Sequence, residues 1–230
     1  MKLSIIIPCK NEEQYIGVLF ESLLKQRLPK NTEIIVADAN STDKTQLIIK
    51  AYSNVLPIKV VQGGLPSVGR NNGALVANGD VLLFLDSDCY LKDTEIVLKA
   101  LLKIRQGSEL VGGLLNIEKN PWVRFLYAWS NLSMFLSKFD KPFVVGTFFM
   151  IKKDTFVRCG GFDESLMHCE DYFLSKLVDK KKFSIVRSYV YTDDRRFKKM
   201  GKFKIVMYFI NNIIHKNNKE FFKKDIGYWL

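Results

Sequence analysis

The chain has 230 residues, 47% of them hydrophobic, and a formal net charge of +11 at neutral pH. That apolar content is enough to bury a full core in one domain, which excludes a disordered chain. Four cysteines, Cys9, Cys89, Cys159 and Cys169, stand far apart without a C-x-x-C pair, so neither a disulfide framework nor a zinc ribbon is indicated and a reducing, cytoplasmic setting fits.

The N-terminal apolar run is too short for a signal h-region and reads as a first strand, Leu3–Ile7, stopped by Pro8. Asn11 followed three residues later by Gln14 predicts a capping box, with Ile16, Leu19, Phe20 and Leu23 at helical spacing behind it. Glu33–Asp38 is a second buried-type strand, and Ser41, Thr42 and Asp43 are cap candidates for the helix that follows. Ile58–Val61, a helix over Ser67–Ala77 and the strand Val81–Leu85 continue the alternation. Strands apolar throughout, alternating with helices, indicate a largely parallel sheet covered on both faces.

Beyond a helix around Asp93–Arg105, strands are predicted at Glu109–Glu118, Phe143–Ile151 and Lys182–Thr192, with helices at Pro121–Phe139 and Glu170–Lys180. No stretch approaches the roughly 18 apolar residues of a membrane span. Charge is uneven: residues 180–224 hold 14 basic and 3 acidic residues, which equals the whole formal excess. Such a block attracts an anionic partner, whether a nucleoside diphosphate, lipid headgroups or nucleic acid, unless it is a solvated face. Its mixture of lysines with Phe, Ile and Tyr fits an interfacial helix as well as one packed on the domain.

Ligands of such folds collect at the carboxyl ends of the strands, and the fourth strand ends in Asp86-Ser87-Asp88. A carboxylate buried without compensation costs several kcal/mol, so these two must meet water, a cation or positive side chains. At a strand end residues i and i+2 point the same way, so Asp86 and Asp88 offer two hard oxygen ligands to Mg2+ or Mn2+. Ordinary loop capping is the alternative.

The ordered set "SIIIPCKNEE", "EIIVADANSTDKT", "GRNNGALVANGD", "FLDSDC" and "GGFDESLMHCED" resembles family-2 glycosyltransferases over about residues 2–200. The resemblance implies the GT-A fold: α/β, Rossmann-like, a mainly parallel central sheet flanked by helices, here with a C-terminal basic helical extension. It divides the chain into a domain over residues 1–200, with a nucleotide-binding half at 1–110 and an acceptor-binding half at 111–200, and an extension at 201–230. It implies a metal-dependent, inverting hexosyltransferase that moves a sugar from a UDP- or GDP-linked donor to the hydroxyl of a lipid-linked or glycan acceptor. Pro8, Asn11, Glu12 and Asp38 match positions that hold the base and ribose, Arg70 one near the nucleotide, Asp86 and Asp88 the metal pair, and Asp171 the catalytic base. Lys10 and Ala39 depart from the aromatic and the Asp common there, so the base is left open. Arg195 and Arg196 would close over the diphosphate, with ion pairing to Asp193 or Asp194 as the alternative. The expected setting is the cytoplasm, at the membrane's cytoplasmic face if the C-terminal segment docks there. A basic nucleic-acid-binding protein and a sugar nucleotidyltransferase are the competing readings, but no nucleic-acid-binding motif is present and "PCKNEE" is no glycine-rich phosphate loop.

Overall fold

The computed structural model describes residues 1–225, the side chain of Arg196 excepted. The first half alternates as predicted: β1 (Leu3–Cys9), α1 (Ile16–Leu24), β2 (Thr32–Asp38), α2 (Thr45–Tyr52), β3 (Ile58–Gln62), α3 (Pro66–Val76) and β4 (Val81–Leu85). Then come β5 (Cys89–Leu91), α4 (Ile96–Arg105), β6 (Leu110–Asn116), α5 (Pro121–Ser137), β7 (Phe148–Lys152), α6 (Lys153–Arg158), α7 (Glu170–Ser175) and β8 (Phe183–Thr192). Three helices, α8 (Arg195–Met200), α9 (Lys202–Ile214) and α10 (Lys219–Phe222), follow.

The strands form one sheet in the order β3-β2-β1-β4-β7-β6-β8-β5. β1 pairs parallel with β2 on one side and with β4 on the other, so the strand order reverses between β1 and β4. The crevice at the carboxyl ends of such a pair is where an open α/β sheet takes its ligand. Mainly parallel pairing holds, but β7 runs antiparallel between β4 and β6 and brings its amino end to the carboxyl end of β4, Phe148 opposite Leu85.

Alternation along each strand builds a core on both faces. In β1, Ile5 and Ile7 join Ile16, Leu19 and Phe20 of α1 and the apolar side of α4, whereas Ile6 joins Ala74 of α3 and the Phe84, Phe149 and Phe162 cluster. α3 lies so close to β1 that a Cβ on Gly73 would stand 2.5 Å from the Ile6 side chain, so only glycine allows this approach.

Several local expectations give way to tertiary contacts. The capping box does not form: α1 starts after Tyr15 with no side-chain cap, and Asn11, at φ 53°, uses its Oδ1 to accept from the Thr42 amide at 2.8 Å. Strand structure at residues 143–151 begins only at Phe148, and the helix expected to reach Lys180 stops at Ser175. β5 and α6 are too short to show in the sequence pattern. No helix among the described residues is long and apolar enough to cross a membrane. Of the basic extension, α9 and α10 lie on the domain and bury Ile205 and Phe222, and residues 226–230 fall outside the described part.

Candidate active site

The floor of the crevice is the loop after β1 stitched to the loop after β2. Pro8 and Cys9, at the end of β1, stand in register with Ala37 and Asp38. Asp38 is buried; its Oδ1 accepts from Ser41 Oγ at 2.5 Å and its Oδ2 from Gln46 Nε2 at 2.7 Å. Ser41 Oγ in turn accepts from the Asn11 amide, and the Glu12 amide donates to Thr45 Oγ1 at 2.7 Å. These last two hydrogen bonds, like that from the Thr42 amide, join groups about thirty residues apart in sequence, which fixes the left-handed turn at Asn11 from both sides.

Arg70 is the hub of the interior. The close approach of α3 carries it inward until only 1% of its side chain is exposed. Nη2 donates to Asp86 Oδ1 at 2.6 Å, Nη1 donates to Glu170 Oε1, and the Phe162 ring centroid lies 5.5 Å from Cζ. Burial works to lower the guanidinium pKa, but Asp86, Glu170 and Asp171 more than offset it and hold the charge. Gly146 belongs to this packing: a Cβ there would sit 2.6 Å from Arg70 Nη2. The next residue, Thr147, donates from Oγ1 to Asp86 Oδ2 at 3.1 Å.

β4 ends at Leu85, and Asp86–Asp88 form a turn, so the two carboxylates are aimed by turn geometry and not by the pleat of a continued strand. Asp88 Oδ2 accepts from Arg195 Nη2 at 3.2 Å. The Arg195 fork is bidentate on Glu12, at 3.0 and 2.9 Å, and its Cζ lies 4.6 Å from the Tyr15 ring centroid. Burial raises the Glu12 pKa while Arg195 pulls it down. The segment after β8 is thereby tied across the crevice to the loops after β1 and β4. Of the two acids considered as partners for this arginine pair, Asp193 accepts from the Arg195 amide at 2.9 Å, and Asp194 engages Lys198 and Asn120. The side chain of Arg196 lies outside the described residues.

Asp171 sits at the start of α7, after Cys169 at φ 60°. Its Oδ2 accepts from the Gly146 amide at 2.6 Å and its Oδ1 from the Tyr172 amide at 2.7 Å. Part of its surface remains open, yet dense protein around the carboxyl, and next the negative charge of Glu170, push its pKa up to about 7, against the pull of Arg70. Of the adjacent acids, Glu170 is buried on Arg70, while Asp171 is half-buried and held by backbone amides.

The structure thus gathers Arg70, Asp86, Glu170 and Asp171 in one cluster and Glu12, Asp88 and Arg195 in another. Sequence reasoning misses Gly146 and Thr147, which it places inside a strand, although a Gly-Thr pair interrupting an apolar run is the available signal. It gives Glu170 no partner and leaves Tyr15 in a helix pattern. His168 is buried against Tyr208 and Phe222, and burial holds its pKa below the ordinary imidazole range.

Among the described residues no group of three or more His, Cys, Asp or Glu is gathered as a metal cage. Asp86 and Asp88 supply two hard oxygen donors whose side chains are 26% and 21% exposed. That set fits a divalent cation that keeps water and completes its shell with phosphate oxygens.

Residues 4–160 match the model of Glycosyl transferase family 2. The poly(ribitol-phosphate) beta-N-acetylglucosaminyltransferase TarS of Staphylococcus aureus is 44% identical over 96 residues, which is 40% of this chain and 17% of that protein. An uncharacterized glycosyltransferase of Haemophilus influenzae is 31% identical over 209 residues, 79% of this chain and 64% of the relative. The chain therefore spans less than two thirds of these relatives. The crystal structure of S. aureus TarS 1-349 in complex with UDP-GlcNAc superposes with a TM-score of 0.67 at 26% identity, covering 84% of this chain and 58% of that one. The mannosyltransferase PcManGT from Pyrobaculum calidifontis, in complex with GDP-Man and Mn2+, shares the fold with a TM-score of 0.70 at 18% identity, over 93% and 64%.

Proposed function

The chain belongs to glycosyl transferase family 2 and has the GT-A fold, and on that premise we propose that it transfers a sugar from a nucleoside-diphosphate donor to an acceptor hydroxyl with inversion. The observation that carries the chemistry is Asp171: a carboxylate held by two backbone amides, pushed up to about 7, next to the Arg70–Asp86 cluster. A general base works best when its pKa lies near the working pH.

The acceptor hydroxyl proton goes to an Asp171 oxygen as the hydroxyl oxygen bonds to the anomeric carbon. The bond from that carbon to the diphosphate oxygen breaks, and its electron pair leaves on the nucleoside diphosphate. Attack opposite the leaving group inverts the centre. Asp86 and Asp88 would hold a divalent cation, Mn2+ or Mg2+, which when bound supplies Lewis-acid stabilisation of the departing diphosphate. Arg70 holds Asp86 and Glu170 in place through its two ion pairs. Arg195 stands at the same crevice as a cationic donor for the diphosphate, with Arg196 beside it in sequence. Asn11, Glu12, Pro8 and Asp38 line the nucleoside end, residues 1–110 forming the donor half and 111–200 the acceptor half.

TarS has been crystallised with UDP and with UDP-GlcNAc, which supports a UDP-linked donor. Relatives named as poly(ribitol-phosphate) sugar transferases support a polyol-phosphate or other glycan acceptor, an anionic polymer suited to the basic second half. The test is a screen of UDP- and GDP-sugars for binding and hydrolysis with and without Mn2+ or Mg2+, with NMR assignment of the product anomer. A UDP-sugar that binds and yields the inverted anomer is expected. A product of retained configuration, or no binding of any nucleotide sugar, overturns the reading.

A further inference from the structure

α5 and α9 each bury one face on the domain, Val123, Tyr127 and Met134 in α5 and Ile205 in α9. On a helix packed against a soluble core the opposite face is polar. Here it is not. α5 carries Phe125, Trp129, Leu132 and Leu136, continued by Phe139, at alternating steps of four and three residues, and all are exposed, Phe125 by 68%. α9 repeats the pattern with Phe203, Met207, Ile210 and Ile214, of which Phe203 is 79% exposed. Neither helix contains an acidic residue, and Arg124, Lys138, Lys202 and Lys204 stand within or at the ends of the two.

The two helices meet at their amino ends. Lys202 Nζ lies 5.8 Å from the Trp122 ring centroid, and Phe197 packs edge-on against Trp122 and Tyr127. Apolar along one line with basic residues beside it, each helix has the composition of one that lies in the plane of a membrane surface and does not span it.

We propose that α5 and α9 form one docking surface for an anionic lipid bilayer, with the Phe125–Phe139 and Phe203–Ile214 lines seated at the headgroup boundary. Charge selects this occupant. Residues 180–224 carry 14 basic and 3 acidic residues, so a second copy would press like charge on like charge, whereas an anionic headgroup layer complements it. A soluble anionic polymer would satisfy the lysines but cover none of the exposed apolar side chains, and lines of exposed apolar side chains along a helix call for an apolar partner.

The surface is joined to the base loop by the inner side of α9 and by α10. Tyr208 Oη lies 3.6 Å from Cys169 Sγ, Asn212 Nδ2 lies 3.4 Å from the same sulfur, and the Met167 amide donates to the Phe222 carbonyl at 2.8 Å. Docking would therefore bring the Asp171 side of the crevice to an acceptor at the bilayer. That link to acceptor delivery rests on the transferase reading above, while the surface does not.

Flotation tests it, with vesicles of phosphatidylcholine alone and with phosphatidylglycerol added, at low and high salt, without donor or acceptor. The chain should float with the phosphatidylglycerol vesicles and be released by salt. Serine at Phe125, Trp129 and Leu132 together, or at Phe203, Met207 and Ile210 together, should weaken partitioning by about tenfold or more. Both variants change exposed positions, so their thermal midpoints should stay at the parent value, which separates lost docking from lost folding. The proposal is overturned if the parent chain ignores anionic vesicles at low salt, or if the serine variants bind as well as the parent, which would leave charge alone. It is also overturned if light scattering shows a parent dimer that the serine variants dissociate. Vesicle binding by a chain that binds no nucleotide sugar would leave the surface standing and remove the transferase reading.

Discussion

The carboxylates paired with arginines in the crevice and the one beside Gly146 are held by different means. Asp86, Asp88, Glu12 and Glu170 each meet a guanidinium, Asp86 and Glu170 that of Arg70, Glu12 and Asp88 that of Arg195. Asp171 meets two backbone amides and has Glu170 as its neighbour, and it is the one whose pKa climbs to about 7. Four acids thus face fixed positive charge, which on the proposed reading suits acids that hold a cation or the nucleoside. The acid that the same reading makes the base has neutral backbone donors instead. Two adjacent residues, Glu170 and Asp171, fall on opposite sides of that division because one points at Arg70 and the other at Gly146.

The largest effect is expected at Asp171. Replacing it by Asn should cut transfer by about a thousandfold, within the range for loss of a general base, while nucleotide-sugar affinity by calorimetry stays within about twofold. The parent turnover should rise with pH through about 7, because the group is inactive when protonated and a raised pKa keeps it protonated until then. Retained transfer in Asp171→Asn, or a pH profile flat through that range, would take the base role from Asp171.

Arg70→Met tests the paired end. It leaves Glu170 buried without its cation and should destabilise the fold by about 3–5 kcal/mol in urea titration, since breaking a buried pair exposes the cost of the remaining charge. The double variant Arg70→Met with Glu170→Met should recover a large part of that loss. Additive losses would mean that the pair is not coupled.

Gly146→Ala comes next, because it touches both ends at once. The added methyl meets Arg70 Nη2, and the required shift should cost about 1–3 kcal/mol and lower turnover more than donor affinity. The smallest stability effect belongs to Arg195→Ala. Its side chain is 41% exposed, so the ion pairs should contribute less than about 1 kcal/mol to stability, and the change should appear chiefly as weaker binding of a nucleoside diphosphate. Unchanged diphosphate affinity would return Arg195 to a structural tie between Glu12 and Asp88.

Much of the molecule is legible in the chain. The apolar runs of β1, β2 and β4 predict strands with correct core positions, and the acids at their ends read as ligand-facing because a buried strand that ends in charge must bring that charge to water, a cation or a positive side chain. Asp86 and Asp88 stand out by their place at a strand end, whereas Arg70, Asp171 and the role of Arg195 are marked by the family resemblance. Their partners do not stand out. Asn11 and Gln14 match a local capping rule that a hydrogen bond to Thr42 overrides, and residues 143–147 look like strand because apolar composition does not reveal where pairing starts. The exposed lines of α5 and α9 read as apolar helix without a side, since periodicity locates a stripe but does not say whether it faces inward.

By itself the sequence determined the alternation of strands and helices, the set of acids and arginines available for chemistry, and the basic excess of the second half, because these follow from composition and spacing along the chain. Only the tertiary structure decided which acid is paired and which is left to titrate. Arg70, Asp86 and Gly146 come from α3, the turn after β4 and the loop before β7, and the contact between Arg70 and Glu170 spans a hundred residues of chain. A carboxylate's charge state depends on what lies within a few ångströms of it, and those neighbours exist only once the sheet has brought its strand ends together.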